Sequence, residues 1–169
     1  MIKPALMRMY GRLPRWLRMA SVRLVTPSFR VGAICVVERA DGALLLVRHS
    51  YRRGWGFPGG LLKRGEAAID AAAREALEEI GMMLDLDDNP KVVVDPRYRR
   101  VDVIYSARLP EGADPAEPSP RSAEIVEVRW FQPVDLPRLG KEAAGALVEL
   151  GRANRPSGPP EPEGSAGDR

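Results

Sequence analysis

The chain has 169 residues, which is enough for one globular domain with a sizeable hydrophobic core. Hydrophobic residues make up 44% of it and charged residues 29%, so wholesale disorder is excluded, and no apolar run is long enough for a membrane-spanning helix. A single cysteine, Cys35, and a single histidine, His49, exclude an internal disulfide and a metal cage built from cysteine or histidine side chains. A metal bound by this chain would therefore need oxygen ligands.

Charge is distributed unevenly along the chain. The net charge is +3, yet the first 30 residues carry seven basic residues and no acidic one, so the remainder has a net charge of −4. We predict three regions: a basic N-terminal extension at 1–27, a domain at 28–153 and a disordered tail rich in proline and glycine at 154–169. The extension is poorly ordered, packs Trp16 and Leu17 on the domain, or contacts a membrane or RNA.

The domain begins with a pattern that predicts paired strands. Residues 29–39 are apolar on both faces, which is typical of a central strand. Asp41-Gly42 is a turn signal, and residues 43–47 are again apolar. We therefore predict that the two segments form a β-hairpin.

The rest of the domain alternates between helical and extended patterns. The predicted elements are a loop with a short strand at 51–62, a helix at 67–80 ended by Gly81, strands at 91–97 and 100–108, a loop at 110–120, a strand at 124–131 and a helix at 139–152. This order favours an α/β fold in which a mixed β-sheet is flanked by helices.

The predicted helix at 67–80 concentrates negative charge on one face. Glu75, Glu78 and Glu79 lie at i, i+3 and i+4, a spacing at which like charges repel by roughly 0.2–0.5 kcal/mol. The opposite face, which we predict to pack on the sheet, carries Ile69, Ala73, Ala76, Leu77 and Ile80. Two interpretations compete: a solvated acidic face with Arg74 as its counter-charge, or a site for a hard divalent cation.

The segment before this helix favours the metal site. Residues 55–60 read W-G-F-P-G-G, and glycines allow the backbone to approach an anion or a metal closely. Glu66, near the helix start, either complements the helix dipole or joins the acidic cluster.

The residues of this region together fit a known pattern. Gly60, Glu66 after five residues, and a run that begins at Arg74 after seven more reproduce G-x5-E-x7-R-E-U-x-E-E-x-G-U, in which U is apolar. All seven fixed positions are present, and Ala76 and Met82 fill the apolar ones. Chance agreement is on the order of 10⁻⁸ per start position. Residues 60–82 thus resemble a complete Nudix box, and residues 30–152 resemble the Nudix (MutT-like) hydrolase family.

The resemblance implies a Nudix-type α/β/α sandwich and a metal-dependent pyrophosphohydrolase. Such enzymes cleave the diphosphate linkage of a nucleoside diphosphate joined to another moiety, by attack of water at phosphorus. Mg²⁺ is the expected cofactor and Mn²⁺ its expected substitute. The implied metal-binding residues are Gly60 through its carbonyl, Glu66, Glu75, Glu78 and Glu79, and the implied catalytic residues are Glu79, Glu78, Glu75, Arg74 and Glu124.

The resemblance also implies a role for each charged residue of the box. Glu78 and Glu79 would be the principal metal ligands, and Glu75 a ligand or an orienting group. Arg74 would hold a glutamate in place by a salt bridge. Glu66 would belong to the outer part of the site.

The attacking water needs a base, and several glutamates are candidates. Glu79 or Glu78 is expected to assist the water. Some members of the family recruit a glutamate from a later loop, and here Glu124, at the start of the last strand, is the candidate, with Glu117 behind it. The alternative is that Glu124 is an ordinary charge at a strand edge.

Basic and aromatic side chains surround the glycine-rich turn. The candidate substrate-binding residues are Arg48, Arg52, Arg53, Tyr51, Trp55 and Tyr98. Arginine side chains bind phosphates, and aromatic rings stack on nucleobases. The alternative interpretation is that each arginine is a surface charge and that Trp55 belongs to the core. Lys63 and Arg64 lie in the same segment. His49 is interpreted as a structural or surface residue rather than a catalytic one.

The expected partner is a nucleotide or a small molecule linked to a nucleoside diphosphate. In the family, a proline at the spacing of Pro96 is associated with ADP-ribose and a tyrosine near the spacing of Tyr98 with dinucleoside polyphosphates, so these two residues do not select a substrate.

Two alternative functions remain: a catalytically silent Nudix-like module that senses a nucleotide, and an RNA-end pyrophosphohydrolase that uses the basic arm. Other nucleic-acid binding is disfavoured by the negative charge of the body. We expect a cytoplasmic protein, and a homodimer remains open.

Overall fold

The computed structural model of the chain describes residues 10–25, 28–116 and 118–153. Helix α1 (Arg15–Val25) lies in the predicted N-terminal extension and begins directly after Pro14. Trp16 in this helix is 69% exposed, so it does not pack on the domain as one alternative required.

The predicted tail at 154–169 and Glu117 lie outside the described residues. No helix in the described ranges has both the length and the apolar character needed to cross a bilayer.

Two β-sheets form the centre of the domain. The described strands are, in chain order, β1 (Arg30–Val37), β2 (Leu44–His49), β3 (Trp55–Gly56), β4 (Gly59–Leu61), β5 (Asp85–Leu86), β6 (Lys91–Asp95), β7 (Arg100–Arg108) and β8 (Ile125–Phe131). The five-stranded sheet has the order β4-β1-β7-β5, and β6 also pairs with β7. The three-stranded sheet has the order β3-β2-β8. Because β1 and β7 are parallel while the other pairs are antiparallel, the larger sheet is mixed, as predicted.

Helices cover the two faces of the sheets. Helix α2 (Ala68–Ile80) packs on β1, β4 and β7, whereas helix α3 (Lys141–Ala153), which follows a short 3-10 turn at Pro133–Asp135, contacts β3 and β6. Alternate residues of β1 enter the two cores: Ala33 and Cys35 belong to the cluster on the α2 side, and Ile34 to the cluster on the α3 side. The predicted α/β/α sandwich is confirmed.

The predicted hairpin of the first two strands is wrong. β1 pairs with β4 and β7, and β2 pairs with β3 and β8, so the Asp41-Gly42 turn carries the chain from one sheet to the other. The two strands meet at an isolated bridge between Glu38 and Leu44. Both strands are apolar on both faces, and each lies between two neighbouring strands of its own sheet.

Short strands also differ from the prediction. The loop predicted at 51–62 contains two strands, β3 and β4, rather than one. Strand β5, which is two residues long, has no counterpart among the predicted elements. Helix α2 starts one residue after its predicted start and ends at Gly81, whose φ of +73° and N–H bond to the Leu77 carbonyl at 3.1 Å form the C-cap that glycine favours.

The predicted packing face of α2 is wrong in part. Ile69 and Leu77 are 37% and 52% exposed and Ala73 is also exposed, whereas Glu79 is buried. The residues that the helix buries are Ala71, Ala72, Ala76, Glu79 and Ile80. Small alanine side chains let the helix lie close to β1 and β4, and the Glu79 carboxylate finds hydrogen-bond partners there. The three glutamates therefore differ in exposure, from Glu78 at 53% through Glu75 at 16% to Glu79 at 7% of their side chains.

Truncation of two apolar residues of α2 tests this packing face. Ile80 is fully buried, so Ile80→Ala leaves a cavity, and we expect it to lower the free energy of unfolding by about 2–5 kcal/mol. Leu77 is half-exposed, and we expect Leu77→Ala to cost less than about 1 kcal/mol. Urea unfolding of both variants and the wild type measures the difference. Equal losses would place Leu77 in the core and contradict the observed helix orientation.

Candidate active site

Arg74 binds three carboxylates on and before helix α2. Its Nε and Nη2 atoms donate to the two oxygens of Glu66 at 2.7 and 3.0 Å. Its Nη1 atom donates to Glu75 at 2.7 Å and to Glu78 at 3.4 Å, and Nη2 also donates to the Leu61 carbonyl at 3.3 Å. One guanidinium thus offsets the repulsion between the glutamates and holds their oxygens in place.

Glu66 has the largest number of these hydrogen bonds. Besides the two bonds from Arg74, it accepts the backbone N–H of Lys63 at 2.6 Å. The bonds from Arg74, followed by that from Lys63, lower the pKa of Glu66 to about 2, and the bond to Glu66 is the main cause that raises the pKa of Arg74. Because both oxygens are engaged, Glu66 positions Arg74 in this structure. Its role as a metal ligand stays a prediction.

Two glycines allow strand β4 to lie between β1 and helix α2. A Cβ atom on Gly60 would lie 2.3 Å from Oε1 of Glu75, which is closer than any side chain tolerates. A Cβ atom on Gly59 would lie 2.3 Å from the carbonyl oxygen of Ala33 in β1. Glycine at position 60 therefore lets the Glu75 carboxylate lie directly against the backbone of β4, and glycine at position 59 lets β4 lie close to β1.

Glu79 is buried and has a polar partner for each oxygen. Its Oε2 accepts the backbone N–H of Gly59 at 3.0 Å, and its Oε1 lies 3.3 Å from Nε2 of His49. Gly59 belongs to the larger sheet and His49 ends β2 of the smaller one, so Glu79 lies where the two sheets meet. His49 is buried, as its structural interpretation expects, but no feature of the sequence signals its contact with Glu79.

The single cysteine lies under the same helix. Cys35 is fully buried, and its thiol donates to the Ala72 carbonyl at a sulfur–oxygen distance of 3.4 Å. Burial, followed by the negative charges of Glu79 and Glu75, raises the pKa of this thiol to about 12. Cys35 is therefore a core residue beneath the carboxylates.

Glu124 reaches the site through Tyr51. Its exposed carboxylate accepts a hydrogen bond from the Tyr51 hydroxyl at 2.9 Å. The Tyr51 ring meets the His49 ring edge to face, with centroids 5.6 Å apart. Burial and the bond to Glu124 raise the pKa of Tyr51. A chain of contacts thus joins Glu124 to Glu79, while the role of Glu124 as a base stays a prediction.

A cavity of about 490 Å³ opens beside the partners of Glu79. Gly59 and His49, which both contact Glu79, line it together with three predicted substrate-binding residues, Arg52, Arg53 and Trp55. The other charged residues of the lining are Arg30, Arg100, Lys141 and Glu142. This cavity, called the basic cavity below, therefore extends from the partners of Glu79 to a wall of cationic side chains.

Tyr98 lines a second cavity of about 260 Å³, which shares Arg100, Lys141 and Glu142 with the first. Its hydroxyl accepts a hydrogen bond from Lys141 Nζ at 2.8 Å. The buried Asp102 also lines this cavity and accepts from Arg100 Nε at 2.8 Å. The structure thus places Tyr98 beside the basic cavity rather than in it.

Arg48 does not line the basic cavity, although it contacts Trp55, which does. It pairs with Glu127 on the neighbouring strand at 2.9 Å, and its guanidinium lies 5.9 Å from the centroid of the Trp55 ring. Trp55 itself packs edge to face on Phe131, with centroids 4.9 Å apart. Arg48 therefore stabilises the pairing of β2 with β8, and its role in substrate binding stays a prediction.

The carboxylate cluster has the donor chemistry of a divalent-metal site. The oxygens of Glu75, Glu78 and Glu79 are the ligand type that Mg²⁺ prefers, and the missing Cβ of Gly60 leaves room at Glu75. In the part of the chain that the structure describes, no three His, Cys, Asp or Glu side chains form a ready-made cage. Arg74 and His49 bind these oxygens instead, so a bound cation would join or replace those contacts.

Comparison with known proteins identifies the class to which this fold and site belong. Residues 28–150 match the family model described as the NUDIX domain. This match covers most of the chain, and the chain therefore belongs to the Nudix hydrolase family, whose members hydrolyse acid anhydrides that contain phosphorus. The family membership that the box residues predicted is thereby confirmed.

Individual relatives agree with this assignment. A MutT-like protein from Streptomyces ambofaciens is 28% identical over 122 residues, which are 64% of this chain and 79% of that protein. The structure of a MutT Nudix hydrolase from Burkholderia pseudomallei has a TM-score of 0.61 and 28% identity, over 73% of this chain and 99% of the other. An ADP-ribose pyrophosphatase from Streptococcus suis has a TM-score of 0.57 and 27% identity, over 76% and 94%.

Replacement of Glu66 by glutamine tests the Arg74 network through its dependence on pH. With a pKa of about 2 in the folded protein and an ordinary value of 4.5, Glu66 stabilises the fold above pH 4.5, and this contribution is lost as the pH falls toward 2. We expect Glu66→Gln to lower the free energy of unfolding at pH 7. The difference in unfolding free energy between the variant and the wild type should shrink as the pH falls from 4.5 toward 2.

Urea unfolding at a series of pH values measures this difference. Glu111→Gln removes the same charge at an exposed position and serves as the matched control, for which we expect little change at pH 7. A stability loss in Glu66→Gln that stays constant down to pH 2 would contradict the ion pair as its source.

Proposed function

We propose that this protein is a divalent-metal-dependent pyrophosphohydrolase that cleaves the diphosphate linkage of a nucleoside diphosphate joined to another moiety. The products are a nucleoside monophosphate and the phosphorylated second moiety. The placement of Glu79 carries the proposal, because this buried carboxylate contacts Gly59 and His49, and both of these residues line the basic cavity. A diphosphate bound in that cavity would lie close to oxygens that can hold a cation.

Glu75, Glu78 and Glu79 are the proposed ligands of Mg²⁺, or of Mn²⁺ in its place. When bound, such an ion neutralises charge on the phosphoryl oxygens and lowers the pKa of a coordinated water. The Gly60 carbonyl and Glu66 are the further proposed ligands at the edge of the site. Two observations support these ligands: all of them offer oxygen atoms, which Mg²⁺ prefers, and Glu75 lies close to Gly60.

The remaining groups of the site position the glutamates and accept a proton. Arg74 holds Glu75 and Glu78 from the side, which fixes the spacing of their oxygens. Glu79 or Glu78 is the proposed base that takes a proton from the attacking water. Glu124, fixed by its bond from the Tyr51 hydroxyl, is the second candidate for this role.

The substrate side of the proposal depends on the basic cavity. Arg52 and Arg53 offer cations to phosphates, and Trp55 offers part of its ring to a nucleoside. The relative from Streptococcus suis is an ADP-ribose pyrophosphatase, which supports cleavage of a diphosphate linkage attached to a nucleoside. Because every fixed position of the box is filled, the sequence offers no support for a catalytically silent module.

Glutamine variants of the two predicted principal ligands test the reaction. A panel of nucleotide-linked diphosphates is incubated with Mg²⁺, and released nucleoside monophosphate and phosphate are quantified by chromatography. We expect Glu79→Gln and Glu78→Gln each to reduce turnover by at least about 100-fold, since each removes a charge central to the site. Circular dichroism checks that the variants fold, and Glu111→Gln is the charge-matched control. Turnover at the wild-type level in both variants would rule out the assignment.

An added methyl group at Gly60 tests the metal site more locally. Gly60→Ala forces the Glu75 carboxylate away from β4, so we expect the affinity for Mn²⁺ to fall by about tenfold or more in titration calorimetry. Gly151→Ala adds the same methyl group where no atom lies within 4 Å, and it should bind Mn²⁺ like the wild type. Equal Mn²⁺ affinity in all three proteins would remove Glu75 from the ligand set.

A further inference from the structure

The basic cavity carries more positive charge than its own carboxylate can balance. Five cationic side chains line it, Arg30, Arg52, Arg53, Arg100 and Lys141, against the single carboxylate of Glu142. Like charges gathered in a concave site raise the local positive potential, and this potential attracts an anionic ligand.

Two of the five cations already have partners inside the protein. Arg100 donates to the two oxygens of Asp102 at 2.8 and 2.9 Å and lies 3.5 Å from Glu142. Lys141 donates to the hydroxyl of Tyr98 at 2.8 Å. These contacts hold Arg100 and Lys141 at the boundary of the two cavities, where their two positive charges equal the two negative charges of Asp102 and Glu142.

The other three guanidinium groups remain available to a ligand. Arg52 lies over the ring of Tyr51, 5.5 Å from its centroid, and forms no ion pair with a carboxylate in the described part of the chain. Arg30 and Arg53 form no ion pair with any residue in the described ranges. All three side chains are exposed at the cavity wall, where a bound anion would reach them without displacing a protein carboxylate.

The start of helix α3 adds to this positive wall. Residues 140–143 line the cavity, and the N–H groups in the first turn of a helix lack partners within the helix. A 13-residue helix such as α3 places partial positive charge at this end. Backbone and side chains therefore both favour negative charge in the cavity.

The cleaved diphosphate does not account for all of this charge. Under the proposed function, on which this inference rests, the carboxylates of Glu75, Glu78 and Glu79 would balance the charge of the cation they hold. The two phosphoryl groups of the linkage then carry about one negative charge each, against the three guanidinium groups of Arg30, Arg52 and Arg53. We propose that Arg30, Arg52 and Arg53 bind at least one further phosphoryl group, beyond the linkage that is cleaved. The substrate is then a nucleoside diphosphate extended by phosphate, as in a nucleoside triphosphate or a dinucleoside polyphosphate, and not a diphosphate joined to an uncharged sugar.

Steady-state kinetics with an adenosine series tests the proposal. ADP-ribose has an uncharged sugar beyond its diphosphate, ATP a terminal phosphate, and diadenosine tetraphosphate a longer chain capped by a second nucleoside. We expect Arg30→Gln and Arg53→Gln to lower kcat/KM about 10- to 100-fold for the better of the two phosphate-extended substrates, and less than about threefold for ADP-ribose. If ATP is the better of these two substrates, the arginines bind a terminal phosphate. If diadenosine tetraphosphate is better, they bind a phosphate inside the chain. An equal loss for all three substrates would overturn the proposal.

Arg129→Gln is the matched control for these variants. Its exposed guanidinium pairs with Glu127 on β8 and does not line the basic cavity, so kcat/KM should stay at the wild-type value for every substrate. Thermal unfolding checks that all three variants keep their fold.

Binding of inorganic tripolyphosphate tests the same inference without turnover. In the presence of EDTA, titration calorimetry should show at least about fivefold weaker binding to Arg30→Gln and Arg53→Gln than to the wild type and Arg129→Gln. Equal affinity in all four proteins would overturn the phosphate site. If the wild type cleaves no nucleotide with Mg²⁺ while binding still depends on Arg30 and Arg53, the proposed reaction fails and the phosphate site stands.

Discussion

The hydrogen bonds of one guanidinium organise the carboxylates of this protein. Arg74 neutralises part of the charge that Glu66, Glu75 and Glu78 bring together, and each of those side chains would otherwise repel its neighbours. Through Glu66 and the Leu61 carbonyl, the same side chain connects helix α2 to the loop and the strand before it. The geometry of strand, loop and helix thus depends on a single residue near the middle of the box.

A second constraint acts at the junction of the two sheets. Glu79 touches Gly59 of the larger sheet and His49 of the smaller one, so the position of its carboxylate depends on how the sheets pack. The basic cavity opens at the same junction and extends to the start of helix α3. Every layer of the sandwich therefore contributes to the site, although Glu75, Glu78 and Glu79 come from one helix.

Local spacing predicted the parts of the structure that depend on near neighbours. The bonds of Arg74 to Glu75 and Glu78 and the C-cap at Gly81 follow from positions on one helix. Contacts between distant residues could not be predicted in this way. Glu79 is buried because it meets a glycine 20 residues and a histidine 30 residues before it. The predicted pairing of the first two strands was wrong for a related reason. An apolar pattern on both faces indicates that a strand lies inside a sheet, but the pattern does not determine which strands lie beside it.

The buried thiol of Cys35 has a practical consequence for experiments in solution. Only the thiolate reacts with maleimide reagents, and a fully buried thiol with a pKa of about 12 forms almost none at neutral pH. A dye would therefore attach selectively to a cysteine introduced on the surface, for example in place of Met83, which is 73% exposed just after the glutamate helix. A single fluorophore can thus report on this region while the native core stays intact.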